Sequence, residues 1–212
     1  MIVFRSLIGQ CSTTMGMYEY FESNNVPLEA SDLLRWQYVL AVSALDKYIH
    51  DIVRIGMVQE FQGIRPETAK YKSFRIDFSL AMLMKASSTP EIIFANEITR
   101  QHSFLAFQDP DKISDALSYV WEAKHKWSII SCNMTTSISE ADLKTKLKNI
   151  VIRRNQIVHE GDCLSTQIPL QQQILSKSDT QEVINFIEEI VVAIEKSIIQ
   201  TAAPESTAVE HR

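Results

Sequence analysis

The sequence predicts an all-α fold, an antiparallel helical bundle with additional short helices attached. Three observations carry that expectation. Apolar residues recur at three- and four-residue steps through four long stretches, near 32–58, 109–132, 139–160 and 179–201. Gly and Pro are scarce, at 5 and 6 of 212 residues, which disfavours a turn-rich β architecture. Helix-start signals stand in front of most of these stretches: Ser31 or Asp32, Thr89-Pro90, Asp109-Pro110, Ser139 and Ser178 or Asp179.

Taken in order, the first thirty residues are the hardest to place. Met1-Ile2-Val3-Phe4 and Leu7-Ile8 are apolar, and Tyr18, Tyr20 and Phe21 are expected to pack a short helix against the core. Asn24-Asn25-Val26-Pro27 breaks the chain. The next helix carries Leu34, Tyr38, Ala41, Leu45, Tyr48, Ile52 and Ile55 in four-three alternation, with Gly56 as a candidate end. Residues 61–75 read as a locally basic loop, and 76–86 as a short helix. Thr89 and Pro90 start a helix expected to run to about Phe107. Ile113, Leu117, Val120, Trp121 and Trp127 suggest one continuous helix over 109–132. Ser139 to Asp142 looks like a capping box opening the helix of residues 139–160, and Gly161 stands where it stops. After a loop over 161–178, Val183, Ile187, Val191, Ile194 and Ile198 mark the last helix. Residues 1–201 are expected to form one domain, with 202–212 a disordered tail.

Composition excludes several classes. The net charge is −5, and the isoelectric point near 5.6 argues against a broadly basic, nucleic-acid-coating surface. A small basic cleft remains compatible with it. No apolar run is long enough to span a bilayer, and the N-terminus carries no signal-peptide pattern. Cys11, Cys132 and Cys163 fit neither a disulfide framework nor a zinc pattern, so a reduced, cytoplasmic setting with no metal and no cofactor is expected.

The chemistry concentrates in Ile150–Asp162. Arg154 falls on the apolar stripe of Leu143, Leu147, Ile150, Ile157 and Val158. A guanidinium keeps its charge, so it needs a carboxylate, a helix end or a phosphate. Asn155 and His159 are four apart and share a face. Arg154 and His159 point about 140° apart on an ideal helix, so a kinked end or a second subunit is needed to bring them together. Lys144, Lys146, Lys148, Arg153 and Arg154 follow one another with no acidic residue between Asp142 and Glu160. In an acidic protein this is the helix able to attract phosphate, with Lys148 and Arg153 as candidate contacts to it. Asp46, His50 and Asp51 on the second helix are candidate supporting residues, either as solvated charges or with one carboxylate meeting Arg154. On spacing alone, an Arg in a core ion pair and a His at a helix end explain the pattern better than catalysis does.

Arg154-Asn155-Gln156-Ile157-Val158-His159 resembles the Arg-x4-His signature of the HEPN superfamily, including the polar residue after the Arg. Leu33–Asp51 is similar to the early helix of the RiboL-PSP branch, in the same order and separation. The resemblance covers about residues 30–200. It implies a dimeric, metal-independent endoribonuclease with Arg154, Asn155 and His159 in catalytic roles, RNA as substrate, and Lys148 and Arg153 as RNA contacts. Such proteins act as toxins, phage-defence effectors or RNA processors, under a cognate antitoxin or regulatory protein. The alternative is a non-catalytic HEPN-like dimer that binds protein or RNA. Some HEPN toxins have a Tyr two positions after the His, nucleotidylated by the antitoxin; here that position is Gly161, so this control is not expected.

Overall fold

The computed structural model describes residues 1–163 and 172–202, and among these it contains nine helices. The longest, α2 (Pro27–Phe61), runs 35 residues and packs against α1 (Ile2–Ser23), α5 (Pro90–His102), α6 (Pro110–Leu117), α8 (Glu140–Glu160) and α9 (Lys177–Ala202). Its expected seam is buried at Leu34, Tyr38, Ala41, Leu45 and Tyr48, whereas Ile55 is 46% exposed. Leu40, Val42, Ala44, Ile49, Val53 and Met57 are buried as well. Burial on more than one side marks α2 as the central helix of the bundle rather than one side of a two-helix seam.

The first thirty residues resolve into α1, 22 residues long rather than a short helix. Phe4, Ile8, Cys11 and Met15 form its buried stripe, and the Phe4 ring meets Tyr48 at 5.8 Å. Thr13 and Thr14 hydroxyls donate to carbonyls one turn back, so these polar residues sit inside the helix without breaking it. The break at 24–27 holds: Asn25 takes φ 58 and Pro27 opens α2. Within 61–75 the chain forms the single turn α3 (Ala69–Lys72), capped by the Thr68 hydroxyl. Then α4 (Phe78–Ala86) follows.

Two expected helices are cut short by contacts from elsewhere in the chain. The helix from Pro90 ends at His102 rather than Phe107, because Asp46 Oδ1 accepts from the Phe107 backbone N–H and the Phe107 side chain is buried. The stretch 109–132 divides into α6 and α7 (Lys126–Asn133). The carbonyls of Tyr119 and Val120 accept from the Thr68 hydroxyl at 3.0 Å and from Arg65 at 2.8 Å. Those two side chains give the backbone partners outside a helix and hold the connection against α2. Gly56 makes room for it: a Cβ there would stand 2.4 Å from Val120 Cγ1. So Gly56 does not end α2; it admits a neighbour.

The remaining helices follow their sequence signals closely. Ser139 Oγ accepts from the Asp142 N–H at 3.1 Å and Gly161 closes α8 at φ 61. Val183, Ile187, Val191, Ile194 and Ile198 of α9 are all buried. The expected loop around Pro169 and the tail after Ala202 lie outside the described residues. No helix among the described residues is long and apolar enough to cross a membrane.

Replacing a helical Gly by Ala ordinarily stabilises by about 1 kcal/mol. Gly56→Ala is expected to do the opposite, lowering stability by about 1–3 kcal/mol through overpacking, and Val120→Ala in the same chain should recover part of the loss; thermal melts of the single and double variants check both. A second expectation concerns Glu60, a buried carboxyl whose Oε1 has no partner among the described residues while Oε2 accepts from the Thr68 N–H. Burial pushes its pKa from 4.5 up to about 7, against the opposing pull of the Thr68 N–H and Arg65. A raised folded-state pKa means the folded protein holds the proton longer than the unfolded chain. The contribution is complete below about 4.5 and is lost as pH rises through about 7. Glu60→Gln should therefore gain melting temperature relative to the parent as pH climbs from 5 to 8, by about 2 °C or more.

Candidate functional site

The second half of α8 leaves the core. Leu143, Leu147 and Ile150 are buried, but beyond them Ile152 and Val158 are 56% and 45% exposed. The buried stripe therefore stops at Ile150, and Arg154 sits at the rim of the core rather than within it. There, α8 forms one wall of a cleft of about 540 Å³, with Lys148, Ile152, Arg154 and Asn155 on it. The opposite wall is the start of α6, with Lys112, and the non-helical strap 103–109, with Ala106 and Gln108.

Arg154 Nη1 donates to Asn155 Oδ1 at 3.1 Å. Its Nε is buried with no acceptor among the described residues. An unmatched donor on a permanent cation favours an anion at the cleft. The Arg154 side chain thus meets its neighbour Asn155 on the cleft wall. His159 is exposed in the last turn of α8 and does not line the cleft. The chain brings Arg154 and Asn155 together and leaves His159 one helical turn further on.

The carboxylate that meets an α8 arginine is neither Asp46 nor Asp51. It is Asp162, wholly buried just past the end of the helix. Arg35 Nε donates to its Oδ2 at 2.9 Å, Arg153 Nη2 donates to the same oxygen at 3.1 Å, and Arg153 Nη1 lies 3.0 Å from Oδ1. Arg35 also donates to the Gln173 carbonyl, and the Gln173 N–H donates to the Asp162 carbonyl at 2.8 Å. Asp162 itself takes φ 61, a conformation Asp tolerates better than most residues. This clasp ties the start of α2, the end of α8 and the segment at 172–173. Tyr38 lies within its field: burial pushes the phenol up to about 12, Arg153 pulls it down, and Asp162 pushes it up. Arg153, expected as an RNA contact, is occupied here.

The other candidate residues divide similarly. Lys148 stays at the cleft, 3.7 Å from Asp111, and Lys144 lies 3.3 Å from the same carboxylate. Lys146 turns to α9, paired with Glu182 and over the Phe186 ring. Asp51 pairs with Lys47 and lies 3.6 Å from Arg54. Asp46 and His50 hold the strap from behind: Asp46 through the Phe107 N–H, His50 through the Leu105 carbonyl at 3.2 Å. Sequence reasoning missed Asp162, Arg35, Lys112 and Gln108. Arg35 and Asp162 are 127 residues apart, and no local spacing connects them.

The RiboL-PSP-HEPN family model matches residues 17–200, most of the chain and both walls of this cleft. The chain belongs to the RiboL-PSP-HEPN family. No curated protein and no solved structure matches it. Family membership agrees with the helical fold, and it supports an RNA-cleaving or nucleotide-binding module.

The division between the two arginines has a direct test. Arg154→Ala strands no carboxylate and should melt within about 2 °C of the parent. Asp162→Ala leaves Arg35 and Arg153 without their shared partner, and losing one member of a buried charge group costs roughly 3–5 kcal/mol. Calorimetry on the two variants should separate them clearly, and a large loss for Arg154→Ala would contradict the assignment.

Proposed function

We propose that the protein is a metal-independent endoribonuclease whose site is completed by two copies of the chain. The observation that carries this reading is the Arg154–Asn155 pair at a cationic cleft, with a buried guanidinium donor left open. RNA cleavage without metal needs a base for the 2′-hydroxyl proton and a cation for the charged phosphorane. His159 takes the proton, histidine being the side chain that most often serves as a general base. The 2′-oxygen attacks phosphorus, the 5′-oxygen leaves and is protonated, and a 2′,3′-cyclic phosphate remains. Arg154 grips the non-bridging oxygens through its forked donors, and Asn155 holds Arg154. Lys148 adds charge at the cleft.

His159 stands outside the cleft of its own subunit, so the arrangement favours a homodimer in which His159 of one copy serves Arg154 of the other. Ile152 and Val158, both about half exposed on α8, supply apolar area for such a contact. Membership of the family extends the proposal to a toxin or phage-defence effector held by a cognate antitoxin or regulatory protein. The same placement of His159 is the observation that favours a second reading, a non-catalytic dimer that binds RNA or protein.

Labelled RNA incubated in EDTA should be cleaved by the parent and yield cyclic-phosphate ends. His159→Ala should slow cleavage by about 10²–10⁴-fold, the usual contribution of a general base. Light scattering at micromolar concentration should give the mass of a dimer. Activity that vanishes in EDTA and returns with magnesium contradicts the mechanism, and a parent that binds RNA without cutting it supports the second reading.

A further inference from the structure

The strap 103–109 has a feature the cleavage reading does not use. Phe104 is 90% exposed, two residues before Ala106 on the cleft wall. Such a ring on a loose loop tip would need no account, but this strap is held at several points. Asp46 accepts from the Phe107 N–H, and His50 Nε2 donates to the Leu105 carbonyl at 3.2 Å. The His50 ring lies 4.4 Å from that of Phe107, which is buried and also meets His102 at 5.9 Å. Phe107 is thus the peg, and Phe104 is the ring left outside.

The cleft that this strap lines is mainly positive. Lys112, Lys144, Lys148 and Arg154 face two carboxylates: Asp109, which caps α6, and Asp111, which is shared by Lys144 and Lys148. Lys112 has no carboxylate partner among the described residues. An aromatic face next to a row of cations is the arrangement that holds single-stranded nucleic acid, the ring stacking on a base and the cations following the phosphates. A duplex offers no such face, because its bases are already stacked.

We propose that the strap is the base-recognition edge of this site. Phe104 is the stacking platform for an unpaired nucleobase, Gln108 and Asn155 on the cleft walls are the hydrogen-bonding side chains, and Asp46 and His50 are positioning residues that hold the strap in place. The proposal rests on the RNA reading above but not on cleavage. It gives Asp46 and His50 a part in the site without any contact to Arg154.

The test is binding, measured by fluorescence anisotropy with a labelled 12-nucleotide single-stranded RNA in a His159→Ala background, so that cutting does not intervene. The single strand should bind more tightly than the same sequence in duplex or the free mononucleotide. Phe104→Ala should weaken binding by about tenfold, the value of one stacked base, and Phe104→Trp should restore it, with Trp emission quenched as RNA is added. Asp46→Ala should weaken binding as well, and Phe104→Trp should fail to rescue it there, because the ring is no longer held. Loss of binding by Phe104→Ala in a protein whose parent never cuts RNA keeps this proposal and sinks the catalytic one. RNA binding unchanged by Phe104→Ala overturns it. So does a parent that binds no RNA, a loss that light scattering traces to a split dimer, or a free mononucleotide bound as tightly as the strand.

Discussion

The arrangement of the site depends on one buried carboxylate shared by two arginines. Asp162 has no exposed surface, and Arg35 and Arg153 converge on it from α2 and α8. A buried carboxylate is stable only with charge and hydrogen-bond partners, and a buried guanidinium only with an anion. Satisfying both at Asp162 fixes where α8 ends, since the Asp162 N–H also donates to the Gln156 carbonyl at 3.1 Å. It also decides which arginine is structural. Arg153 is consumed by the clasp, and Arg154, one residue on, faces the cleft with a donor unmatched. Two neighbouring residues of one type thus do opposite work, because successive positions on a helix point about 100° apart.

The central helix does the rest of the positioning. Burial around α2 gives the other helices a common surface, and the polar residues on it act at its margins. Arg35 reaches the end of α8, Asp46 and His50 reach the strap, and Gly56 lets the connection after α6 come close. The cleft between strap, α6 and α8 is therefore referred back to one rigid element on both walls. A site needs its groups held to within fractions of an ångström by such supports, and side chains on helices are held better than side chains on free loops.

Much of this was legible in the sequence, and the rest was hidden for a definite reason. The Ser139 cap, the Gly161 stop, the α8 stripe as far as Ile150 and the stripe of α9 are local signals, and they hold. The apolar step of α1 was obscured by Ser, Thr and Gly between Phe4, Ile8, Cys11 and Met15, although Thr hydroxyls bonded one turn back leave a helix intact. The early end of α5 and the gap between α6 and α7 were invisible, because Asp46, Arg65 and Thr68 come from 51–61 residues away. The same holds for the clasp. Placing Arg154 on the apolar stripe correctly raised the need for an anion, but the stripe ends at Ile150. The carboxylate expected for Arg154 belongs instead to Arg153, from a residue past the helix whose burial no periodicity reveals.

What Arg154 and His159 require of each other is the point on which the functional account turns. They stand on different faces of one helix, and we propose that two copies of the chain bring them together. Mixing the inactive variants Arg154→Ala and His159→Ala, after unfolding and refolding them together, measures this directly. In a two-fold dimer with shared sites, each mixed dimer holds one site with both residues intact, so equal mixing should restore about a quarter of the parent's RNA cleavage. A mixture that forms mixed dimers yet stays as inactive as either variant alone would contradict the shared site.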